Sequence, residues 1–272
     1  MTSVRRALSA LFMLLILFSS AYHVHPALAQ EDSDFPAPQG AEEILRSAGN
    51  ALSTGDAEAF AAHYANDAVY VALPPPPETT GVFAGRDAIL DLATGVSERN
   101  LQVEFVDVHV NGESATFTAL ITEDNFTAVG VAPIEFAGTA TVQEGMIAAE
   151  TLIMRPESLA RLIAAENRAL VQRLYDEIYN GRALDVLGEL AAPEAMDAYQ
   201  TSATGTLATF SNLTVTVEHL LVEGDYVVAV VTFVGTSAGG APMTWTQIDI
   251  HRIVNGLLVE ARRSGGPALS VE

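Results

Sequence analysis

The chain has no cysteine, a single tryptophan and six histidines in 272 residues, and its thirteen basic residues are all arginine, with no lysine. Without cysteine there is no disulfide, no thiolate nucleophile and no cluster ligation, so apolar cores alone must hold the fold. Without lysine there is no Schiff-base chemistry. His23 and His25 lie in the N-terminal segment; His63, His109, His219 and His251 are scattered, with no HExxH spacing. No metal site and no cofactor is expected. The formal net charge of −21 excludes nucleic acid and anionic membrane surfaces, both of which require basic patches.

What is present begins with residues 1–29. Arg5 and Arg6 precede an almost unbroken apolar run over 10–21, and Ala27-Leu28-Ala29 fits a small-residue cleavage site before Gln30. This pattern predicts a secretory signal and an exported protein, soluble and not inserted in a membrane once the signal is removed; the run is short for a transmembrane helix. Residues 30–40, acidic and carrying Pro36 and Pro38, read as a flexible linker.

The rest of the chain repeats itself. VEFVDVHVNGESATF at 103–117 matches VTVEHLLVEGDYVVA at 215–229, each alternating and broken by a glycine, Gly112 or Gly224. VQEGMIA at 142–148 matches IVNGLLV at 253–259, and LSTGDAEAF near Gly55 matches IYNGRALDV near Gly181. The spacing leaves the second copy about fourteen residues shorter between its helices and its sheet. Apolar positions at helical spacing predict helices over 41–53, 56–64 and 85–92, and over 170–178 and 184–190 in copy two. Alternating runs predict strands over 69–73, 101–110, 114–123, 134–143 and 146–154, then 213–222, 226–234, 243–254 and 257–263. The expected domains are 41–156 and 167–266, joined by a linker over 157–166 and followed by a tail from 267. The fold class is α+β: two tandem cones, each with N-terminal helices packed on a curved antiparallel sheet.

These stretches carry a resemblance. NRALVQRLYDEIYNGRALDVLGELAAPEAM, FSNLTVTVEHLLVEGDYVVAVVTFVGT and WTQIDIHRIVNGLLVE resemble the SnoaL-like polyketide cyclase branch of the nuclear transport factor 2-like superfamily. LSTGDAEAFAAHYANDAVY, GVFAGRDAIL and GTATVQEGMIAAE resemble the broader superfamily. The resemblance implies a helix-covered sheet around a pocket, a fold that hosts isomerases, cyclases, dehydratases and non-catalytic binding modules, so function has to be argued from the site. Cyclase-type members carry a late acid after the final Val-Glu; here Val259-Glu260 is followed by Ala261-Arg262-Arg263. The missing acid makes a non-catalytic module for a small apolar ligand the leading expectation. An acid–base enzyme and an oligomerisation or envelope module stand beside it, as does pairing of the two domains or a homo-oligomer.

Three local patterns are candidate sites. A two-residue turn at Asn255-Gly256 pairs His251 with Glu260 and Asp249 with Arg262. Alternation then places Trp245, Gln247, Asp249, His251, Glu260 and Arg262 on one face, with His251 as acid/base, Asp249 and Arg262 orienting it, and Trp245 and Gln247 lining a ligand site. On the opposite reading that face is solvated and Ile248 and Ile250 point to the core. In copy one, Tyr64, Tyr70 and Glu123 are candidate ligand contacts. Gly235-Thr236-Ser237-Ala238-Gly239 matches a nucleophile elbow, but Gly240 and Pro242 leave no helix to follow it, so a hairpin loop is expected.

Overall fold

The structure, a computed structural model, describes residues 40–265. The segments read as a secretory signal and, but for residue 40, as an acidic linker lie outside the described residues, as does the tail. The first unit opens with α1 (Ala41–Ser53) and α2 (Ala57–Ala62). Helix α1 buries Ile44, Leu45, Ala48 and Ala51 along one stripe and keeps Glu42 and Glu43 in its first turn, where the helix dipole favours them. Asp56 caps α2 by accepting from the Ala59 amide at 2.9 Å. Then come β1 (Tyr64–Leu73), β2 (Val82–Ala84), α3 (Arg86–Ser97), β3 (Gln102–Asn111), β4 (Ser114–Thr122), a short α4 (Asp124–Ala128), β5 (Ile134–Gln143) and β6 (Met146–Met154). The sheet order is β2-β1-β6-β5-β4-β3. It is antiparallel except that β1 runs parallel to β6, Tyr70 opposite Glu150, a parallel pairing that the antiparallel expectation did not contain.

A single helix, α5 (Pro156–Arg173), leads from one unit to the next. The stretch read as a linker is its first half. Leu159 and Leu162 pack on the first core, while Leu170 and Val171 belong to the second. The chain continues without a break into a π-helical run, Leu174–Asn180. The second unit is completed by α6 (Leu187–Leu190), α7 (Met196–Thr209), β7 (Phe210–Glu223), β8 (Tyr226–Ser237), β9 (Pro242–Val254) and β10 (Leu257–Gly265), with sheet order β10-β9-β8-β7. Helix α7 is not foreshadowed in the sequence, because it buries only Tyr199 and Ala203 and so shows no apolar stripe. The shortening of copy two removes the counterparts of β1 and β2: only an isolated bridge, Ala191 to Leu258, remains where β1 meets β6. The covering helix survives as α7. Ser237–Gly240 forms a hairpin turn between β8 and β9, the Gly240 amide donating to the Ser237 carbonyl at 2.9 Å, so the elbow pattern has no helix behind it.

The two concave faces are filled differently. In the first unit β5 presents Ile134, Phe136, Gly138, Ala140 and Val142 inward. The Phe117 ring lies on Gly138 so closely that a Cβ there would sit 2.0 Å from Cε2. Phe105 meets Phe117 edge to face at 4.8 Å and presses on Gly49, where a Cβ would come within 2.5 Å of its ring. Two glycines thus make room for two phenylalanines that plug this cone. Gly138→Ala is expected to force Phe117 off its rotamer and destabilise the first unit by about 1–3 kcal/mol, read by thermal unfolding; an unchanged Tm would show that the ring has room to yield.

Candidate functional site

Counted back from the matching turns Glu144-Gly145 and Asn255-Gly256, strand β9 is the counterpart of β5. Where β5 has Ile134, Phe136, Gly138 and Ala140, β9 has Trp245, Gln247, Asp249 and His251. Asp249 and His251 are each 2 % exposed, and Gln247 4 %, whereas Ile248 and Ile250 are 44 % and 37 % exposed. The polar row therefore faces the helices, and the solvated-face reading is reversed. Strand β9 turns Ile248 and Ile250 outward because its inner positions are taken by a hydrogen-bonded network, while Val215, Val227, Val231 and Ile253 stay in the core.

The π-helical run supplies Tyr175, whose hydroxyl donates to Asp249 Oδ2 at 2.7 Å and lies 3.0 Å from His251 Nε2. That hydroxyl proton goes to the carboxylate, so the phenol oxygen accepts from Nε2–H. A neutral imidazole then leaves Nδ1 as an acceptor. Tyr199 of α7 stands 3.1 Å from Nδ1 and 3.1 Å from the Glu260 carbonyl, one hydroxyl facing two acceptors. The Gln247 amide donates to both oxygens of Asp249, at 3.1 and 2.9 Å, and its own carbonyl accepts from Trp245 Nε1 at 3.1 Å. Trp245 stacks on Phe233, with ring centroids 4.9 Å apart. Burial pushes the His251 imidazole down to about 4, with Asp249 opposing the shift and Arg263 adding to it. Burial, then the Asp249 charge, holds the Tyr175 phenol well above its usual range.

The cation beside Asp249 is Arg263, not Arg262. Val259 is an extra residue in β10, so the register slips between Leu258 and Glu260 and sets Arg263 opposite Asp249, Arg262 opposite Ile250 and Ala261 opposite His251. Arg263 Nε reaches Asp249 Oδ1 at 3.1 Å. Arg262 points to solvent and pairs with Glu260 at 2.7 Å, so neither the His251–Glu260 pair nor the Asp249–Arg262 pair forms. The bulge is invisible to a count of alternation. It recurs at Ala148 in the first unit, where it turns Glu150 inward to accept from the Tyr64 hydroxyl at 2.6 Å.

In that first unit Tyr64 and Tyr70 are buried, with ring centroids 6.3 Å apart. Burial pushes Glu150 up to about 7, against the hydrogen bond from Tyr64. Glu123 lies apart from them at the end of β4, paired with Arg99 at 3.4 Å and Asn125 at 3.4 Å; burial raises its pKa against Arg99. The structure thus brings Tyr64 and Tyr70 together around Glu150, a residue the sequence reading passed over, as it did Tyr175, Tyr199 and Arg263. Tyr175 was legible only as one more member of the apolar stripe of its helix. Among the described residues no buried side-chain polar atom lacks a partner, and no cluster of three or more His, Asp or Glu is placed to hold a metal ion. Two surface grooves open elsewhere, one beside Thr54–Glu58 and Leu90–Thr94 and one beside Gln102–Glu104 and Pro133. No described helix is long and apolar enough to cross a membrane.

Two α+β cones, one plugged by phenylalanine and one lined by a buried polar row, define the class of protein. Residues 24–150 match the family model of the SnoaL-like domain, and residues 169–264 match that of the SnoaL-like polyketide cyclase. The chain carries two SnoaL-like domains in tandem. No curated protein matches it. Solved structures similar to it include a nuclear transport factor 2-like protein of unknown function from Cytophaga hutchinsonii, at 11 % identity over 46 % of this chain and 99 % of that one, TM-score 0.37. A candidate polyketide cyclase from Sinorhizobium meliloti matches at 21 % identity over 40 % and 92 %, TM-score 0.34. TsrD from Streptomyces laurentii matches at 26 % identity over 36 % and 88 %, TM-score 0.33.

Proposed function

We propose that the second domain is a small-molecule site that exchanges a proton with a carbonyl-bearing ligand, and that the first domain is its packed companion. One observation carries this reading. The two domains share a fold, and the first fills the same positions with Phe136, Gly138 and Ala140. The fold therefore does not require Gln247, Asp249 and His251 there. Burying a carboxylate, an imidazole and an amide gives up hydration that apolar side chains never lose, and such clusters of buried titratable groups concentrate at functional sites. His251, neutral at pH 7, is the base. It takes a proton from the carbon next to the carbonyl and leaves an enolate; the imidazolium so formed faces Asp249 through the Tyr175 hydroxyl and returns the proton to that carbon.

Deuterium incorporation into cyclohexanone, followed by NMR in D2O, tests the reading without knowledge of the natural substrate. The protein is expected to accelerate exchange over buffer, and His251→Ala to lose about 10²–10⁴-fold of that acceleration. Exchange at the buffer rate for both proteins, folded and across pH 5–9, would sink the reading. A binding module without turnover is favoured by the completeness of the hydrogen bonding in the row; ligand binding that survives His251→Ala, with no exchange in either protein, supports that alternative.

A further inference from the structure

We propose that the second cone is occupied by its own side chain: Tyr199 stands where the ligand binds, and the ligand is a planar ring carrying a hydroxyl donor that displaces it. This rests on reading the second domain as a small-molecule site. Tyr199 is the one member of the row that α7 supplies. Its ring lies nearly parallel to the imidazole of His251, 21° between planes and 6.0 Å between centroids. Its hydroxyl reaches both Nδ1 and the Glu260 carbonyl. The opposite nitrogen, Nε2, is closed off by Tyr175, so the α7 side is the approach to His251 that a moving helix can open.

The first domain again serves as the internal control. There the covering helix α3 buries Ile89 and Ala93, with the same spacing at which α7 buries Tyr199 and Ala203. Ile89 covers a cone whose β5 position is Ala140; Tyr199 covers one whose β9 position is His251. In the second cone a phenol and an imidazole, in contact with each other, stand where the first cone has apolar side chains. Both covering helices are lightly held: two of fourteen residues are buried in α7 and two of twelve in α3, against six of thirteen in α1. An element with so few buried anchors detaches at modest cost.

Once α7 lifts, Nδ1 and the Glu260 carbonyl lose the one donor they share. Unpaired acceptors in a dry site are costly. A ring that brings its own hydroxyl restores the bond, and the same ring without one does not. Sites built around such a bond discriminate strongly on that single group.

Equilibrium dialysis of the full chain against 7-hydroxycoumarin and coumarin at pH 6 tests this, the two probes differing only in the hydroxyl. The chain is expected to bind the hydroxylated probe at least tenfold more tightly than coumarin. Tyr199→Ala, which leaves nothing to displace, is expected to bind it at least a further tenfold more tightly, and His251→Ala to reduce the preference, the Glu260 carbonyl being the acceptor that remains. Tyr199→Phe keeps the volume of the ring and drops its hydrogen bonds, so it is expected to fall between the wild type and Tyr199→Ala, and it keeps the test valid if the alanine variant does not fold. Equal binding of the two probes, no gain in either Tyr199 variant, or no binding at all overturns the proposal. Cyclohexanone exchange on the same samples separates the two ideas: exchange without probe preference removes self-occupation alone, and preference without exchange keeps self-occupation and removes proton transfer.

Discussion

Asp249→Ala is expected to cost the second domain about 3 kcal/mol, the lower end of what breaking a buried ion pair costs. The carboxylate receives Tyr175, both bonds from Gln247, and Arg263, and with alanine in its place the Tyr175 hydroxyl and the Gln247 amide stay buried without their acceptor. Arg263, whose side chain is 41 % exposed, can turn to water, which keeps the loss from being larger. Trp245 is the only tryptophan in the chain and donates to Gln247, so denaturation followed by its fluorescence reports the second domain alone. Arg262→Ala is the matched control: its partner is Glu260 at the surface, and no measurable change is expected. If the two variants unfold alike, Asp249 is not what holds the polar row together.

The two domains are expected to respond to pH in opposite directions. Glu150 is pushed from an ordinary 4.5 up to about 7, first by burial, with Tyr64 and Tyr70 facing it. The folded first domain therefore holds a proton that the unfolded chain releases. Its stability contribution is complete below pH 4.5 and is lost as pH rises through 7. His251 is pushed from 6.5 down to about 4 by burial, with Asp249 and Arg263 beside it. Here the unfolded chain binds the proton that the folded domain refuses, so this contribution is complete above pH 6.5 and is lost as pH falls through 4. Each swing is on the order of 3 kcal/mol over its window. Hydrogen exchange resolved by peptide, at pH 5 and pH 8, reads both domains in one sample: β5 and β6 should be better protected at pH 5, and β8 and β9 at pH 8, after correction for intrinsic exchange. Glu150→Gln should remove the first trend and leave the second. Parallel trends in both domains would mean that neither buried group governs its domain.

Much of the fold was legible in the sequence because it rests on local signals. The alternating runs around Gly112 and Gly224, and the turns at Gly145 and Gly256, fix strand positions closely, since alternation and turn chemistry act over a few residues. Helix α7 was not legible: its Thr, Ala and Gly residues give no stripe, and only its place over the cone makes Tyr199 an inside residue. Half of the site was legible too. The face shared by Gln247, Asp249 and His251 follows from period two, but which way that face points does not, because Ile248 and Ile250 are the more apolar choice for a core. The helices above the sheet reverse that choice by bringing Tyr175 and Tyr199 to His251.

The sequence by itself determined that there are two copies of one α+β fold, that cysteine and lysine chemistry are absent, and that His251 and Asp249 share a strand face. Tertiary structure alone decided that this face is buried, that a bulge at Val259 puts Arg263 rather than Arg262 against Asp249, and that a bulge at Ala148 turns Glu150 to Tyr64. The reason is one of range: periodicity is a property of a few neighbouring residues, whereas the direction of a face and the register past a bulge are set by what packs across from it.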